Sequence, residues 1–383
     1  MVTARRKYPV GIQDFESIRK EGYVYVDKTE LIYNMISEGK PYFLSRPRRF
    51  GKSLLVSTLA AIFEGKRELF EAFTTEDGIE QPQLYVATTP WRWERHAVLR
   101  FDFSMGDLST VEQLENLISY TIGEYEKEYN ITPPKPDINL RMTNLILEAE
   151  RQTNRKVVVL CDEYDSQMLH AIGDPEKQNG IRSTFQNLFS PLKALDAHLR
   201  FVFITGISKF SQMGVFSKLN QLKNISMQAN FGAICGISEE ELTTVLKPDI
   251  ERLAESNGAD YDTMLTELKE NYDGYHFGPG MIDVYNPFSI VNTFSSMKLD
   301  DFWFASATPS ALIKILDKYN FKLTDIENTQ MSSRMFDQPF DNMGSAIAIL
   351  YQSGYLTIKD YDFDYNLYTL GIPNGEVYSG LYS

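Results

Sequence analysis

Cysteine is nearly absent from this 383-residue chain, where Cys161 and Cys235 are the only two. One bridge at most is available, so no disulfide framework holds the fold. Both sit beside apolar runs and read as small core residues. The four histidines, His96, His170, His198 and His276, lack the spacing of a zinc site. No apolar run approaches the roughly 18 residues that a membrane helix needs. The start, Met1 to Pro9, has no apolar stretch of the kind that secretory signals carry. A reducing cytoplasm is the expected compartment. Positive charge is also short: 38 Lys and Arg stand against 52 Asp and Glu, a net charge of −14. That disfavours a surface coated all round for nucleic acid, while leaving room for a local basic patch. Internal repeats, low-complexity tracts and a guanine-reading Asn-Lys-x-Asp motif are all missing.

What is present suits a folded protein, with 43% hydrophobic and 13% aromatic residues. At roughly 100–200 residues per domain, the length suggests two or three domains. The first half alternates β-rich runs with amphipathic helical stretches. Pro41–Leu44, Ala97–Phe103, Lys156–Cys161 and Leu199–Gly206 read as strands, and the third is apolar throughout, as a strand buried on both faces should be. Leu54–Phe63 reads as a helix. Ser109 or Thr110, with Glu112 and Gln113 three residues on, makes a capping box before another. Strands alternating with helices predict an α/β fold, a parallel sheet with helices on both faces. Asp77–Trp93 and the Pro-rich 131–137 stretch read as surface loops.

The character changes after about residue 234. Ser238-Glu-Glu-Glu241 opens a helix with acids near its N-terminus. Asp260–Asn271, Ser289–Met297 and Gly344–Tyr351 read as further helices, and 355–372 as a hairpin turning near Asp362–Asn366. Helices followed by a hairpin suggest a winged-helix-like module. The expected division is 1–235 and 236–383.

Two motifs carry chemistry. Arg46-Pro-Arg-Arg-Phe-Gly-Lys-Ser53 lies between a strand and a helix, the context of a phosphate loop. Backbone N–H groups and the helix dipole there favour phosphate. Gly51 would let the backbone turn and come close, Lys52 would reach the β- and γ-phosphates, and Ser53 would offer its hydroxyl to Mg²⁺. Arg46 stands where the usual first Gly belongs, and Pro47 stiffens the loop. A basic surface turn before a helix is the alternative reading. The second motif is Val157-Val-Val-Leu-Cys-Asp-Glu-Tyr-Asp165, an apolar strand ending in acid. Asp162 would hold Mg²⁺ through its water shell, and Glu163 would orient or deprotonate the attacking water. The alternative is simply the start of a polar loop. Ligands bind at the C-terminal edge of parallel sheets, so the two motifs would face each other. Together they point to a nucleotide site, and the missing guanine motif favours ATP. Thr205 ends a third strand, followed by Ser208 and Lys209. It reads either as a γ-phosphate sensor or as the cap of the next turn.

With these residues in place, the chain resembles the bacterial AAA-ATPase-like proteins, whose second half is commonly a PD-(D/E)XK-type nuclease domain. The resemblance runs over nearly the whole chain. It is carried by Pro9–Phe15, Tyr23–Thr29, Ser45–Leu54, Val159–Asp165, Thr205–Ser211, Asn271–Phe277, Tyr285–Ser289, Trp303-Phe304 with Thr308-Pro309, and Gly371–Val377. It implies an AAA-like P-loop NTPase core with a helical lid, and ATP and Mg²⁺ as ligands. It makes the whole string Arg46, Pro47, Arg48, Arg49, Phe50, Gly51, Lys52, Ser53 and Leu54 the nucleotide-binding loop. Asp162 and Glu163 fall on the metal and catalytic positions of the acidic strand. By the same resemblance Tyr25, Asp27 and Lys28 border the adenine, although an N-terminal strand and helix cap accounts for them equally well.

A nuclease would begin shortly after Val377, and the sole Glu-x-Lys candidate, Glu267-Leu-Lys269, lies in a helical stretch and reads as solvated surface. The expectation is an ATPase half without its nuclease, natural or truncated. Arg46, Arg48 and Arg49 crowd the loop and suit phosphate or an inter-subunit contact. Arg182 and Lys209 are candidate trans-acting charges, and Arg200 reads as structural. The hairpin carries Asp360, Asp362 and Asp364 after Lys359, which would repel DNA. A protein-facing lid is expected in its place. The leading expectation is a Mg²⁺-dependent ATPase regulating a fused or partner nuclease, with a homo-oligomer open. The alternatives are a non-hydrolysing nucleotide switch and a DNA-stimulated ATPase.

Overall fold

The computed structural model describes residues 6–39, 41–105, 110–132, 136–167, 171, 174–207, 222–306, 326, 329–336 and 346–382. Helices α1 (Phe15–Lys20) and α2 (Thr29–Glu38) precede strand β1 (Tyr42–Ser45) and helix α3 (Lys52–Phe63). A two-stranded ribbon, β2 (Phe73–Thr74) and β3 (Glu80–Gln81), leads to β4 (Val98–Asp102). Then come α4 (Val111–Glu128), α5 (Ile138–Thr153), β5 (Val157–Asp162), α6 (Pro175–Ala194), β6 (Leu199–Gly206) and β7 (Lys223–Asn224).

Five of these strands form one parallel sheet in the order β4-β5-β6-β1-β7. The expected strands are all there, within one or two residues. Every residue of β5 is buried, which is why its sequence shows no alternation. The edge strand β4 does alternate, with Leu99 and Phe101 buried between Arg100 and Asp102. Register brings the strand ends together: Asp102 lies opposite Asp162, and Leu44 opposite Thr205. Strand β6 therefore sits between the strand that feeds the basic loop and the strand that ends in acid.

Local chemistry sets the helix starts. Thr110 and Gln113 close the capping box of α4, and Ser238 and Glu241 close another. The stretch 77–93 differs from the surface loop expected of it. It contains β3 and a 3₁₀ turn, Tyr85–Thr88, and buries Leu84 and Val86. The backbone N–H groups of Tyr85 and Val86 donate to the side chains of Asp27 and Thr29, so residues far away in sequence hold it down. Of the Pro-rich stretch, residues 133–135 lie outside the described residues.

The second half holds α7 (Glu239–Thr244), α8 (Lys247–Asn257), α9 (Tyr261–Tyr272), α10 (Pro287–Ser296) and α11 (Phe302–Ser306). It continues with β8 (Thr329–Ser332), α12 (Ser333–Phe336), α13 (Ala346–Ser353), β9 (Thr357–Asp362), β10 (Leu367–Gly371) and α14 (Gly375–Tyr382). The hairpin β9–β10 turns at 363–366, where the Asp362 carboxylate accepts from the N–H groups of Asp364 and Tyr365. Strand β8 adds to β10, giving an antiparallel sheet in the order β8-β10-β9.

Buried apolar side chains fall into two clusters. The larger runs from Phe15 to Leu381 and includes Tyr275, Phe277, Trp303 and Leu356 beside the parallel sheet. The smaller joins Ile237, Leu242, Ile250, Leu268 and Phe294, with Tyr8, Val24 and Val26 packed on it. Among the described residues no helix is long and apolar enough to cross a membrane.

Candidate functional site

The loop after β1 does not begin in a turn. Arg46 N–H donates to the Gly206 carbonyl at 3.1 Å and extends the β1–β6 ladder by one residue. Its φ is not positive, so a glycine has no conformational advantage there. The turn comes later, at Arg49 (φ 63°) and Gly51 (φ 93°). A Cβ at Gly51 would meet nothing within 4 Å. The glycine is needed for its left-handed backbone and the open space in front of it, not to relieve crowding.

Lys52 opens α3, buried, with Nζ donating to the carbonyls of Arg46 (3.1 Å) and Pro47 (2.9 Å). The ammonium is thus curled against its own loop. Ser53 and Asp162 line one polar cavity, which joins the two motifs that the sequence separates. Asp162 is 5% exposed, and its Oδ1 has no hydrogen-bond partner. Burial pushes its carboxyl up to about 6, against the pull of the Ser53 hydroxyl and the Lys52 charge. A buried acid with an unused oxygen beside a serine hydroxyl fits a divalent cation. Among the described residues no three His, Cys, Asp or Glu side chains gather as a metal cluster. The fit is thus to a cation that brings most of its ligands with it, as Mg²⁺ does with water and phosphate.

Thr205 is fully buried near the end of β6, and its Oγ1 has no partner. Ser208 and Lys209 lie outside the described residues. Glu163 follows Asp162 with φ 49°, a costly backbone for a glutamate. Asp165 went unnoticed in the sequence. It is buried, and both its oxygens accept from Ile207 N–H at 3.1 Å, while Tyr164 N–H donates to the Thr205 carbonyl. The acid at the end of the Asp-Glu-Tyr-Asp run ties the ends of β5 and β6 together.

The loop arginines do different things. The Arg46 guanidinium is 1% exposed and donates to the carbonyls of Ser45, Ser226 and Phe231, over the face of Phe277 at 4.1 Å. It is built into the wall behind the loop, and burial draws it down to about 10. Arg49 lies over Phe288 at 4.2 Å. Arg48 lends its carbonyl to Trp303 Nε1 at 3.0 Å. Phe50 packs edge-on against Tyr275 and Phe277. A Cβ at Gly354 would meet Pro47 Cβ at 2.8 Å. Each residue from Arg46 to Phe50 is therefore touched by a residue from the second half of the chain. Arg182 bonds Asn179 on its own helix, and Arg200 lies over Phe63 and Trp91 at the far end of β6 from Thr205. Lys269 is an exposed partner of Glu239 on α9.

Two cavities flank Ser53 and Gly51. The first, about 110 Å³ and apolar, is lined by Gly51 and Leu54, by Tyr25 and Lys28, and by Cys235 and Phe294 among others. Lys28 holds Glu241 at 2.5 Å, and Asp27 accepts from Thr29 and Tyr85 N–H groups outside this cavity. The second, about 160 Å³ and polar, is lined by Asp14, Ser53, Arg100, Asp102 and Asp162. The contributions of 235–237, Phe294 and Asp102 lie far from the motifs in sequence, and no local pattern marks them.

Residues 9–216 match the family described as AAA-ATPase_like, Predicted AAA-ATPase. A curated protein of Azotobacter chroococcum mcd 1, described as an uncharacterized protein in the vnfD 5′ region, is 34% identical over 382 residues, covering 99% of this chain and 69% of that protein. No solved structure matches. Basic loop, acidic strand end and the ordered sheet between them are what this match spans, and the chain belongs to the predicted AAA-ATPase family.

Proposed function

We propose that this protein binds and hydrolyses ATP with Mg²⁺, and that its C-terminal half is a lid whose position follows the nucleotide. The observation that carries this reading is that Ser53 and Asp162 line one polar cavity, with the buried Asp162 Oδ1 left without a hydrogen-bond partner. Phosphates would lie against the N–H groups of Gly51–Leu54 at the start of α3, where the helix dipole favours anions. Lys52 would exchange its carbonyl contacts for phosphate oxygens. Ser53 and Asp162 would hold the Mg²⁺, which when bound screens the phosphate charge and orients the terminal phosphoryl group. Glu163 would orient the attacking water, and the Thr205 hydroxyl would meet the γ-phosphate. The apolar cavity suits a purine ring, with Tyr25 and Lys28 at its wall. Asp27 supports that wall by capping α2. Of the arginines, Arg48 and Arg49 are offered to phosphate, and Arg46 is assigned to holding the loop.

The working division is an ATPase core over 1–235 and a lid over 236–383. The antiparallel sheet β8-β10-β9 with α13 before it supports a winged-helix-like end to the lid. Its acidic hairpin suits a protein surface, which is compatible with regulation of a fused or partner nuclease. Phosphate release by the wild type, Lys52→Ala and Glu163→Gln tests the proposal. Release is expected from the wild type, with both variants at least about 100-fold slower. Absence of ATP binding in the wild type would sink it.

A non-hydrolysing nucleotide switch is the second reading. Glu163 does not line the polar cavity that holds Ser53 and Asp162, and this favours it. Tight ATP binding without turnover in the wild type would select it.

A further inference from the structure

The polar cavity that Ser53 and Asp162 line is also lined by β4. On that edge strand Arg100 and Asp102 alternate with buried Leu99 and Phe101, so they share a face. A solvated strand face would explain the alternation alone. It does not explain why that face closes a cavity of about 160 Å³ together with Ser53 and Asp162. Asp102 lies directly across the β4–β5 ladder from Asp162. Its Oδ1 accepts from the N–H and hydroxyl of Ser104 at 2.9 and 2.6 Å, which fixes the carboxylate's orientation. Asp162 itself is the independent sign of a ligand: nine-tenths buried, it keeps one oxygen unpartnered.

We propose that Asp102 is the second carboxylate of the metal edge, a positioning residue that accepts hydrogen bonds from the water shell of the cation held by Ser53 and Asp162. This rests on the nucleotide–metal reading of the same site. The charge arrangement supports it. Two carboxylates set side by side across a parallel ladder repel each other, and a hydrated divalent cation between them removes that cost. Arg100, on the same wall, balances Asp14. A carboxylate one layer out from a cation typically governs about 10–100-fold in metal affinity.

The experiment uses the full chain with Mn²⁺ as a spectroscopic stand-in. Free Mn²⁺ is followed by electron paramagnetic resonance in the presence of ATP, and ATP binding without metal is followed with a fluorescent ATP analogue in EDTA. Asp102→Asn keeps an oxygen for Ser104 and removes the charge. It is expected to weaken Mn²⁺ binding to the nucleotide complex by at least about tenfold, with metal-free nucleotide binding unchanged. Ser104→Ala removes the turn's hydroxyl contact and keeps the charge, and is expected to bind Mn²⁺ within about twofold of wild type. Wild-type Mn²⁺ affinity in Asp102→Asn overturns the proposal, as does an equal loss in Ser104→Ala. If the wild-type chain binds no nucleotide in either assay, the reading beneath it fails as well, which is a distinguishable result.

Discussion

Arg46 and Glu376 illustrate how much a single buried ion depends on its partners. Arg46 is surrounded by the carbonyl oxygens of Ser45, Ser226 and Phe231 and the face of Phe277. Its removal leaves the Ser226 carbonyl without its donor and the Phe231 carbonyl with only the Ile234 N–H. Arg46→Ala is expected to lower stability by about 2–4 kcal/mol, read as a drop in the midpoint of urea unfolding. The sequence offers this residue to phosphate or to an inter-subunit contact, as one of three arginines in the loop that the family resemblance marks as nucleotide-binding. Its true surroundings are set by residues some 180 positions away, which no local pattern reveals.

Glu376 is fully buried, accepting from the Ser289 hydroxyl and from Trp303 N–H at 2.6 Å. Burial pushes its carboxyl up to about 7 from 4.5, against those hydrogen bonds. The folded state then holds a proton that the unfolded chain releases between these values. Stability from this group is full below about pH 4.5 and is lost as pH rises through 7, on the order of 3 kcal/mol at most. Glu376→Gln is expected to flatten the decline in melting temperature between pH 5 and 8. A profile that keeps its slope in the variant would assign the decline to other groups.

At the level of elements, the basic loop 46–50 is the point where both halves meet. Trp303 links them through its indole N–H to Arg48, and its backbone N–H holds it to Glu376 within the C-terminal half. Trp303→Phe keeps most of the ring and loses the link to Arg48. About 1 kcal/mol of stability should go with it, together with weaker binding of a fluorescent ATP analogue. Gly354, at φ 90°, sits against Pro47. Alanine there is strained in backbone and crowded in side chain, so Gly354→Ala should cost at least about 1 kcal/mol and disturb the loop at the same time. The strands and helix starts were legible in the sequence because caps and burial patterns are local. Thr110, Ser238 and the unbroken apolar run of β5 announce themselves. The tie of Asp27 and Thr29 to 85–86 was not legible, since an N–H donor at Tyr85 looks like any other. The second cavity stayed hidden for a related reason: Asp102 becomes a neighbour of Ser53 only once β4 is laid beside β5.

Across the whole molecule, the larger core cluster does not stop at residue 235. Phe50, Tyr275, Trp303 and Leu356 share it, so the sheet and the C-terminal strands should melt together. Far-ultraviolet and near-ultraviolet circular dichroism are expected to give coincident transitions. An ATP concentration about 100 times its dissociation constant should stabilise that single transition by about 2.7 kcal/mol. Two separated transitions, with only one moved by ATP, would show halves that fold independently. The hairpin tip behaves otherwise. Phe363 and Tyr365 are 79% and 77% exposed, and replacing both with serine should change stability by less than about 0.5 kcal/mol.

The contacts that complete the loop also impose an order in time. Arg46 to Phe50 leave the ribosome early, while Tyr275, Phe288, Trp303 and Gly354 follow much later. At about 5–20 residues per second, the gap between Phe50 and Gly354 is roughly 15–60 s of synthesis. During that interval the nascent chain carries the motif but not the walls that shape it. On the proposed reading, an unfinished copy would not bind nucleotide, and ATP binding would mark near-complete translation.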